Sequence, residues 1–105
     1  MFKPFFIHSH RDPGKLPNRS PRGYTIHVEP DVHIKGNVLV RVAWCSPKDQ
    51  FVKAEGRARA LDTWPLSVPL KMLPQFVAQC DNTVWYNNKP VAIEQTYYYL
   101  FKRML

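Results

Sequence analysis

The stretch from Asn37 to Leu61, NVLVRVAWCSPKDQFVKAEGRARAL, most constrains the fold, because its hydrophobic period changes within one continuous run. In the first nine residues valine or tryptophan occupies every second position from 38 to 44, which is typical of a strand with one buried face. From Ser46 onward the apolar spacing is that of an amphipathic helix. Pro47 suits the first helical position, and Asp49 favours the first turn. We therefore predict a strand followed directly by a helix from Ser46 to Leu61.

The predicted helix is basic on its outer side. Gly56 in its interior costs about 1 kcal/mol relative to alanine, so we expect a neighbouring strand to approach closely there. Glu55 and Arg59 are spaced for an i,i+4 ion pair. The predicted buried stripe comprises Phe51, Ala54, Ala58 and Leu61, and the predicted outer face comprises Lys48, Lys53, Glu55, Arg57 and Arg59.

Alternation from Tyr24 to Cys45 predicts a three-stranded antiparallel meander with turns at residues 29–31 and 35–37. This register would place His27 opposite His33 on the first hairpin. One face of the sheet would present Ile26, Val28, Val32, Ile34, Val38, Val40, Val42 and Trp44, and the other would present Thr25, His27, His33, Lys35, Leu39, Arg41, Ala43 and Cys45.

The chain after residue 65 predicts three further elements. A helix should begin near Leu73, because Pro74 would break a helix that started earlier. A short strand should follow at residues 83–86, then a turn at residues 87–90. The end of the chain fits a strand or a helix, and we favour a C-terminal helix from about Ile93, because a strand would place Gln95 and Arg103 on its apolar face. The predicted inner face of the helix near Leu73 comprises Leu73, Phe76, Val77 and Cys80.

These elements predict one α+β domain over residues 1–105, an antiparallel β-meander packed by a central basic helix and a C-terminal helix. A chain of 105 residues supports a single hydrophobic core. Residues 8–23 are polar, basic and rich in proline, and they should form an arm or loop, since they cannot bury enough apolar surface to pack alone.

The net charge of +7 is concentrated near the start of the chain, where the first 22 residues include five basic and one acidic residue. Such a balance favours anionic partners, of which nucleic acid is the commonest. It is equally consistent with a charge that only maintains solubility.

Cysteine use and hydropathy indicate a cytoplasmic protein. Two cysteines, Cys45 and Cys80, do not make a disulfide framework, and we expect both to be reduced. No apolar run approaches the roughly 18 residues of a membrane span, and the apolar part of the first ten residues is too short for a secretory signal. We expect no membrane partner, and the oligomeric state stays open.

Two kinds of chemical site are weakly indicated. Histidines 8, 10, 27 and 33 could share sheet faces, but their spacing lacks the compact pattern of a structural zinc site. Cys45, just before the predicted helix, could act as a nucleophile with a histidine base, although a small buried hydrophobe is the commoner role. We predict no catalytic residue, metal or cofactor, and a small thiol- or metal-dependent enzyme is the least favoured alternative.

Binding functions fit the sequence better. Trp64, in a proline-rich connection, suits a protein interface, because tryptophan often dominates interface energetics. Basic residues on the arm, sheet and helix could instead contact phosphates without reading sequence. The first hypothesis is favoured, and sequence-nonspecific nucleic-acid binding is the alternative. The candidate binding residues are Arg11, Lys15, Arg19, Arg22, Lys35, Arg41, Lys53, Arg57 and Trp64.

The segment VRVAWCSPKDQFVKAEGRARAL resembles a segment of small uncharacterised proteins encoded by tailed bacteriophages, about a fifth of this chain. In that group V-R-V-A-x-C-S is followed by D-x-F-x-K-x-x-G-R-x-x-A. The resemblance implies a viral accessory protein that acts in a bacterial cytoplasm and binds a host macromolecule, and it supplies no catalytic residue. The matching residues are Val40, Arg41, Val42, Ala43, Cys45, Ser46, Asp49, Phe51, Lys53, Gly56, Arg57 and Ala60.

Overall fold

The computed structural model of the chain describes residues 2–10, 23–46, 50–86 and 89–92. Strands and helices are both present, with a sheet of four antiparallel strands, and this confirms the predicted α+β class. A short 3-10 turn joins β4 to α2. The elements are β1 (Phe5–His10), β2 (Gly23–Pro30), β3 (Asn37–Cys45), α1 (Lys53–Leu61), β4 (Leu66–Pro69), α2 (Leu73–Asp81), β5 (Thr83–Tyr86) and β6 (Lys89–Ala92).

The main sheet is a meander in the order β1-β2-β3-β4, and β5 pairs with β6 in a separate hairpin. The outer strands β1 and β4 were not predicted. β4 has only four residues, follows Pro65 directly and ends at Pro69, so it is too short for a periodic signal. β1 extends to His10 and so includes residues 8–10 of the predicted arm, whereas residues 11–22 lie outside the described part of the chain.

The predicted middle strand of the meander, at residues 32–34, is wrong, because β2 pairs directly with β3 and residues 31–36 form the loop between them. The side chain of Asp31 accepts hydrogen bonds from the backbone N–H groups of His33 and Ile34 at 2.9 and 3.3 Å. Such local bonds compete with a strand ladder. Gly36, with φ of +85°, completes the turn. His33 therefore does not lie opposite His27.

The predicted facing of the strand residues themselves is confirmed. Val28 pairs with Val40 and Ile26 with Val42. Val40 is buried, whereas Arg41 lies on the opposite face. The alternation within each strand was therefore informative even though the connection between the strands was not.

Helix α2 covers the face that holds the hydrophobic core. The predicted inner face of this helix is confirmed, because all four of its residues belong to the core or pack against it. The buried core comprises Tyr24, Ile26, Val28, Val38, Val40 and Cys80, and the partly buried side chains packed on it are Ile7, Val42, Trp44, Val68, Leu73, Phe76 and Val77.

Helix α1 covers the opposite face of the sheet, against β2 and β3. It begins at Lys53 rather than at Ser46, and residues 47–49, which include the predicted first turn, lie outside the described residues. The predicted buried stripe is also wrong, since Ala60 is buried whereas Ala54, Ala58 and Leu61 are exposed. The helix lies close to the sheet through its small residues, because a Cβ on Gly56 would fall 2.2 Å from the Thr25 hydroxyl.

The remaining predictions, for the chain after α2, for the cysteines and for membrane spans, have different outcomes. The strand at residues 83–86 is confirmed as β5, but residues 89 and 90 of the predicted turn belong to β6. The C-terminal helix predicted from Ile93 lies outside the described residues. Cys45 and Cys80 are both thiols. Among the described helices, none combines the length and apolar character needed to cross a membrane.

Candidate functional site

Among the described residues, the most exposed large apolar side chain is that of Trp64, which lies between α1 and β4 and is 94% exposed. Leu61 and Leu66, on either side of it in the chain, are 54% and 56% exposed. Tryptophan is highly buried on average in folded proteins, and contiguous exposed apolar surface marks interaction sites. Leu61, Trp64 and Leu66 together are called the Trp64 surface below.

The end of α1 holds this surface in place. The backbone N–H groups of Asp62 and Thr63 donate to the carbonyls of Arg59 and Ala60, each at 3.1 Å. The Thr63 hydroxyl also donates to the Ala60 carbonyl at 2.9 Å. Pro65 then prevents the helix from continuing. The chain leaves the helix in a defined direction, and Trp64 projects from a fixed turn.

Two basic residues of α1 form a second exposed feature. Lys53 and Arg57 lie one helical turn apart, and both are exposed. Burial of His8 lowers the pKa of its imidazole, and the charges of Lys53 and Arg57 lower it further. These two cations therefore create a positive potential at the edge of the sheet. Glu55 and Arg59 form the predicted i,i+4 ion pair at 3.1 Å.

The remaining predicted binding residues do not gather around these two features. Arg41 forms an ion pair with Glu29 across β2 and β3, and both side chains are largely buried. Arg41 is therefore neutralised and holds two strands together. Lys35 is exposed in the β2–β3 loop. Arg11, Lys15, Arg19 and Arg22 lie outside the described residues.

The backbone positions of His27 and Cys45 are well separated along the sheet. His27 pairs with Arg41 in the sheet, four residues from Cys45 along β3, a separation of about 13 Å. The Cys45 thiol instead donates to the Ser46 carbonyl at 3.7 Å. Within the described ranges no group of three or more His, Cys, Asp or Glu side chains is placed to hold a metal ion.

Beneath α1, a polar cluster occupies the same face of the sheet. His8 Nδ1 lies 3.0 Å from the Thr25 hydroxyl, and the Phe6 ring packs on His27 with a centroid distance of 4.9 Å. His27 is buried, and its Nδ1 has no hydrogen-bond partner among the described residues. The Phe6 ring and helix α1 thus cover part of the sheet face on which His27 was predicted to lie.

A cleft of about 580 Å³ at the β2–β3 loop was missed by the sequence analysis. Val32 and Leu70 form its exposed sides, Phe2 contributes from the start of the chain, and Val38 lies at its base. Val32 and Ile34 were predicted to lie in a strand with their side chains on its buried face. Asp31 and Gly36 at the two ends of this segment were the signal for a loop, because both favour turns.

Comparison of the chain with protein-family models, with curated proteins and with solved structures finds no match. Function must therefore be inferred from the surfaces that these residues create.

Proposed function

We propose that this chain is a small non-catalytic accessory protein of a tailed bacteriophage, which binds a protein of the bacterial host in its cytoplasm through the Trp64 surface. The observation behind the binding proposal is the 94% exposure of Trp64 between two exposed leucines. The resemblance of the segment from Val40 to Ala60 to phage proteins is the support for the viral origin.

The size of the exposed indole makes it energetically relevant. An aromatic side chain of this kind buries about 150–250 Å² when it is covered. At about 25 cal/mol per Å², covering it would contribute roughly 4–6 kcal/mol before the costs of association are subtracted. This is the range of interface residues that dominate binding. Leu61 and Leu66 would extend the contact.

The surroundings of Trp64 favour a protein partner over nucleic acid. Residues 61–66 include no basic residue, and Asp62 is acidic and exposed. Aromatic side chains that stack on bases normally lie in a positively charged groove. The exposed cations Lys53 and Arg57 of α1 lie earlier in the helix, two to three turns before Trp64. They support nucleic-acid binding as the second candidate function.

One experiment with two arms tests both candidates. Tagged protein is passed through bacterial lysates with and without nuclease, beside the variants Trp64→Ala and Val52→Ala. Val52 is an exposed apolar residue outside the Trp64 surface, so its variant is the matched control. We expect one stoichiometric protein to be retained after nuclease treatment by the wild type and Val52→Ala, and to be lost with Trp64→Ala.

Two results would contradict the protein-binding proposal. One is equal retention by Trp64→Ala, and the other is an empty eluate from several host lysates. Retention that disappears with nuclease and falls steeply with salt would favour the second candidate, because phosphate contacts release counterions. Circular dichroism of each variant checks that the fold is intact.

A further inference from the structure

The cleft at the β2–β3 loop is built mainly from apolar side chains. Val32 and Leu70 are 76% and 47% exposed, and Val38 at the base is buried. Phe2 packs against Phe5 with a centroid distance of 5.7 Å, which attaches this wall to β1. The cleft is therefore an open groove across the end of the sheet, distinct from the Trp64 surface.

Hydrogen bonds fix the walls of the groove before any partner arrives. Asp31 Oδ2 accepts a hydrogen bond from the Ser67 hydroxyl at 2.6 Å, which joins the loop to β4. Asn37 Nδ2 donates to Ser67 Oγ at 3.0 Å. The backbone N–H of Leu70 donates to the Gly36 carbonyl at 2.9 Å. A fixed groove loses little conformational entropy when it binds.

The cationic side chain of Lys35 lies in the lining of the groove. Among the described residues that line it, the acidic side chain is that of Asp31, and its carboxylate already accepts three hydrogen bonds from the loop and β4. Lys35 lines the groove, and the exposed lysines Lys3 and Lys71 directly adjoin Phe2 and Leu70 in the chain. The complementary ligand is therefore apolar and anionic.

We propose that this groove binds a short peptide segment of the partner protein, with apolar side chains on Val32, Val38 and Leu70 and carboxylates facing Lys35. The proposal rests on the proposed function, since it assumes a protein partner. An open groove favours a peptide over a fatty acid, because small-molecule sites normally enclose most of the ligand surface, whereas Val32 remains largely exposed.

The test uses a fluorescein-labelled synthetic peptide of alternating leucine and glutamate and measures anisotropy with the full chain. Two peptides serve as controls, one with lysine in place of glutamate and one with serine in place of leucine. We expect the leucine–glutamate peptide to bind, and each control peptide to bind about tenfold more weakly or not at all.

Variants locate the binding site. Lys35→Glu and Leu70→Ser should each weaken binding of the leucine–glutamate peptide by about five- to tenfold. Lys53→Glu and Val52→Ser change an exposed lysine and an exposed apolar residue outside the groove and outside the Trp64 surface, so they are controls that should bind as the wild type does. All four positions are exposed, so the substitutions should leave the fold intact.

Trp64→Ala separates the two proposals. If the peptide binds this variant normally while host protein is lost, both proposals are supported. If no host protein is retained by the wild type, peptide binding that depends on Lys35 still supports the groove. Equal binding of all three peptides, equal binding by Lys35→Glu, or displacement of the peptide by dodecanoate at lower concentration than by unlabelled peptide overturns it. Dimer formation that Leu70→Ser abolishes would also overturn it.

Discussion

At Gly56 helix α1 has no side chain, and the Thr25 hydroxyl of β2 occupies the space that a Cβ would need. An added Cβ would lie 2.2 Å from Thr25 Oγ1 and 3.1 Å from its Cβ. Alanine stabilises a helix interior by about 1 kcal/mol relative to glycine, yet the chain has glycine at this position. Close approach to the sheet therefore outweighs helix propensity at this position.

We expect Gly56→Ala to lower the free energy of unfolding by about 1–2 kcal/mol, because overpacking typically costs 1–3 kcal/mol and the gain in helix propensity offsets part of that. Urea unfolding followed by circular dichroism measures the change. In a Thr25→Ala background, where the hydroxyl is absent, the same substitution should be neutral or stabilising. An equal loss of stability in both backgrounds would show that Gly56 is needed for another reason.

At the scale of elements, the strands and helices with a clear hydrophobic period were the ones that the sequence predicted correctly. The alternation of β2 and β3 and the inner face of α2 are confirmed, since each buries apolar residues at its own period. The buried stripe of α1 was wrong, because that helix packs through Gly56 and Ala60 and gives no apolar signal on its inner side.

The candidate site was harder to predict than the fold, because solvent exposure depends on tertiary contacts. Trp64 was proposed as a contact residue from its type and its position between elements. The groove was missed, because Val32 continues the alternation of β2, whereas the side-chain hydrogen bonds of Asp31 and the positive φ of Gly36 make the segment a loop. The role of Arg41 depends on Glu29, twelve residues away in the chain.

The loop depends on the ionised form of Asp31. Hydrogen bonds from Ser67 and from the backbone of His33 and Ile34 lower the pKa of this carboxyl. The loop should therefore be fully ordered above the pKa of the unfolded chain and should loosen as pH falls through the lower folded pKa. Hydrogen exchange should show faster exchange at the amides of His33 and Ile34 in Asp31→Ala. Asp62→Ala, at an exposed aspartate beyond α1, is the matched control, and equal protection in both variants would contradict this account.

At the scale of the whole molecule, each face of the sheet holds one titratable side chain whose neutral form is favoured by folding. His8 lies under α1, where burial and the charges of Lys53 and Arg57 lower the pKa of its imidazole. Tyr24 lies under α2, where burial first and its hydrogen bond to Asp81 second raise the pKa of its phenol. The phenol donates to Asp81 Oδ1 at 2.5 Å. Protonation of His8 at low pH and deprotonation of Tyr24 at high pH should therefore each lower the stability of the folded protein.

On the acid side the unfolded chain takes up a proton at residue 8 before the folded protein does, because the folded pKa is the lower one. The contribution of His8 to the free energy of unfolding should therefore be complete above the ordinary histidine pKa of 6.5 and should decrease as pH falls below it. His8→Asn, which can keep a polar contact to Thr25, should show a shallower decrease. Val52→Ala, at an exposed residue without a titratable group just before α1, is the control and should keep the wild-type slope.

On the alkaline side the order of proton loss is reversed, because the unfolded chain releases the phenolic proton of residue 24 first. The contribution of Tyr24 to stability should be complete below the ordinary tyrosine pKa of 10.0 and should decrease as pH rises above it. Tyr24→Phe should be less stable than the wild type at neutral pH, since it loses the bond to Asp81, and should show a shallower alkaline decrease. Urea unfolding at a series of pH values measures both limbs for all variants. If the free energy of unfolding of His8→Asn and Tyr24→Phe varied with pH as steeply as that of the wild type, groups other than His8 and Tyr24 would be the cause of the pH dependence.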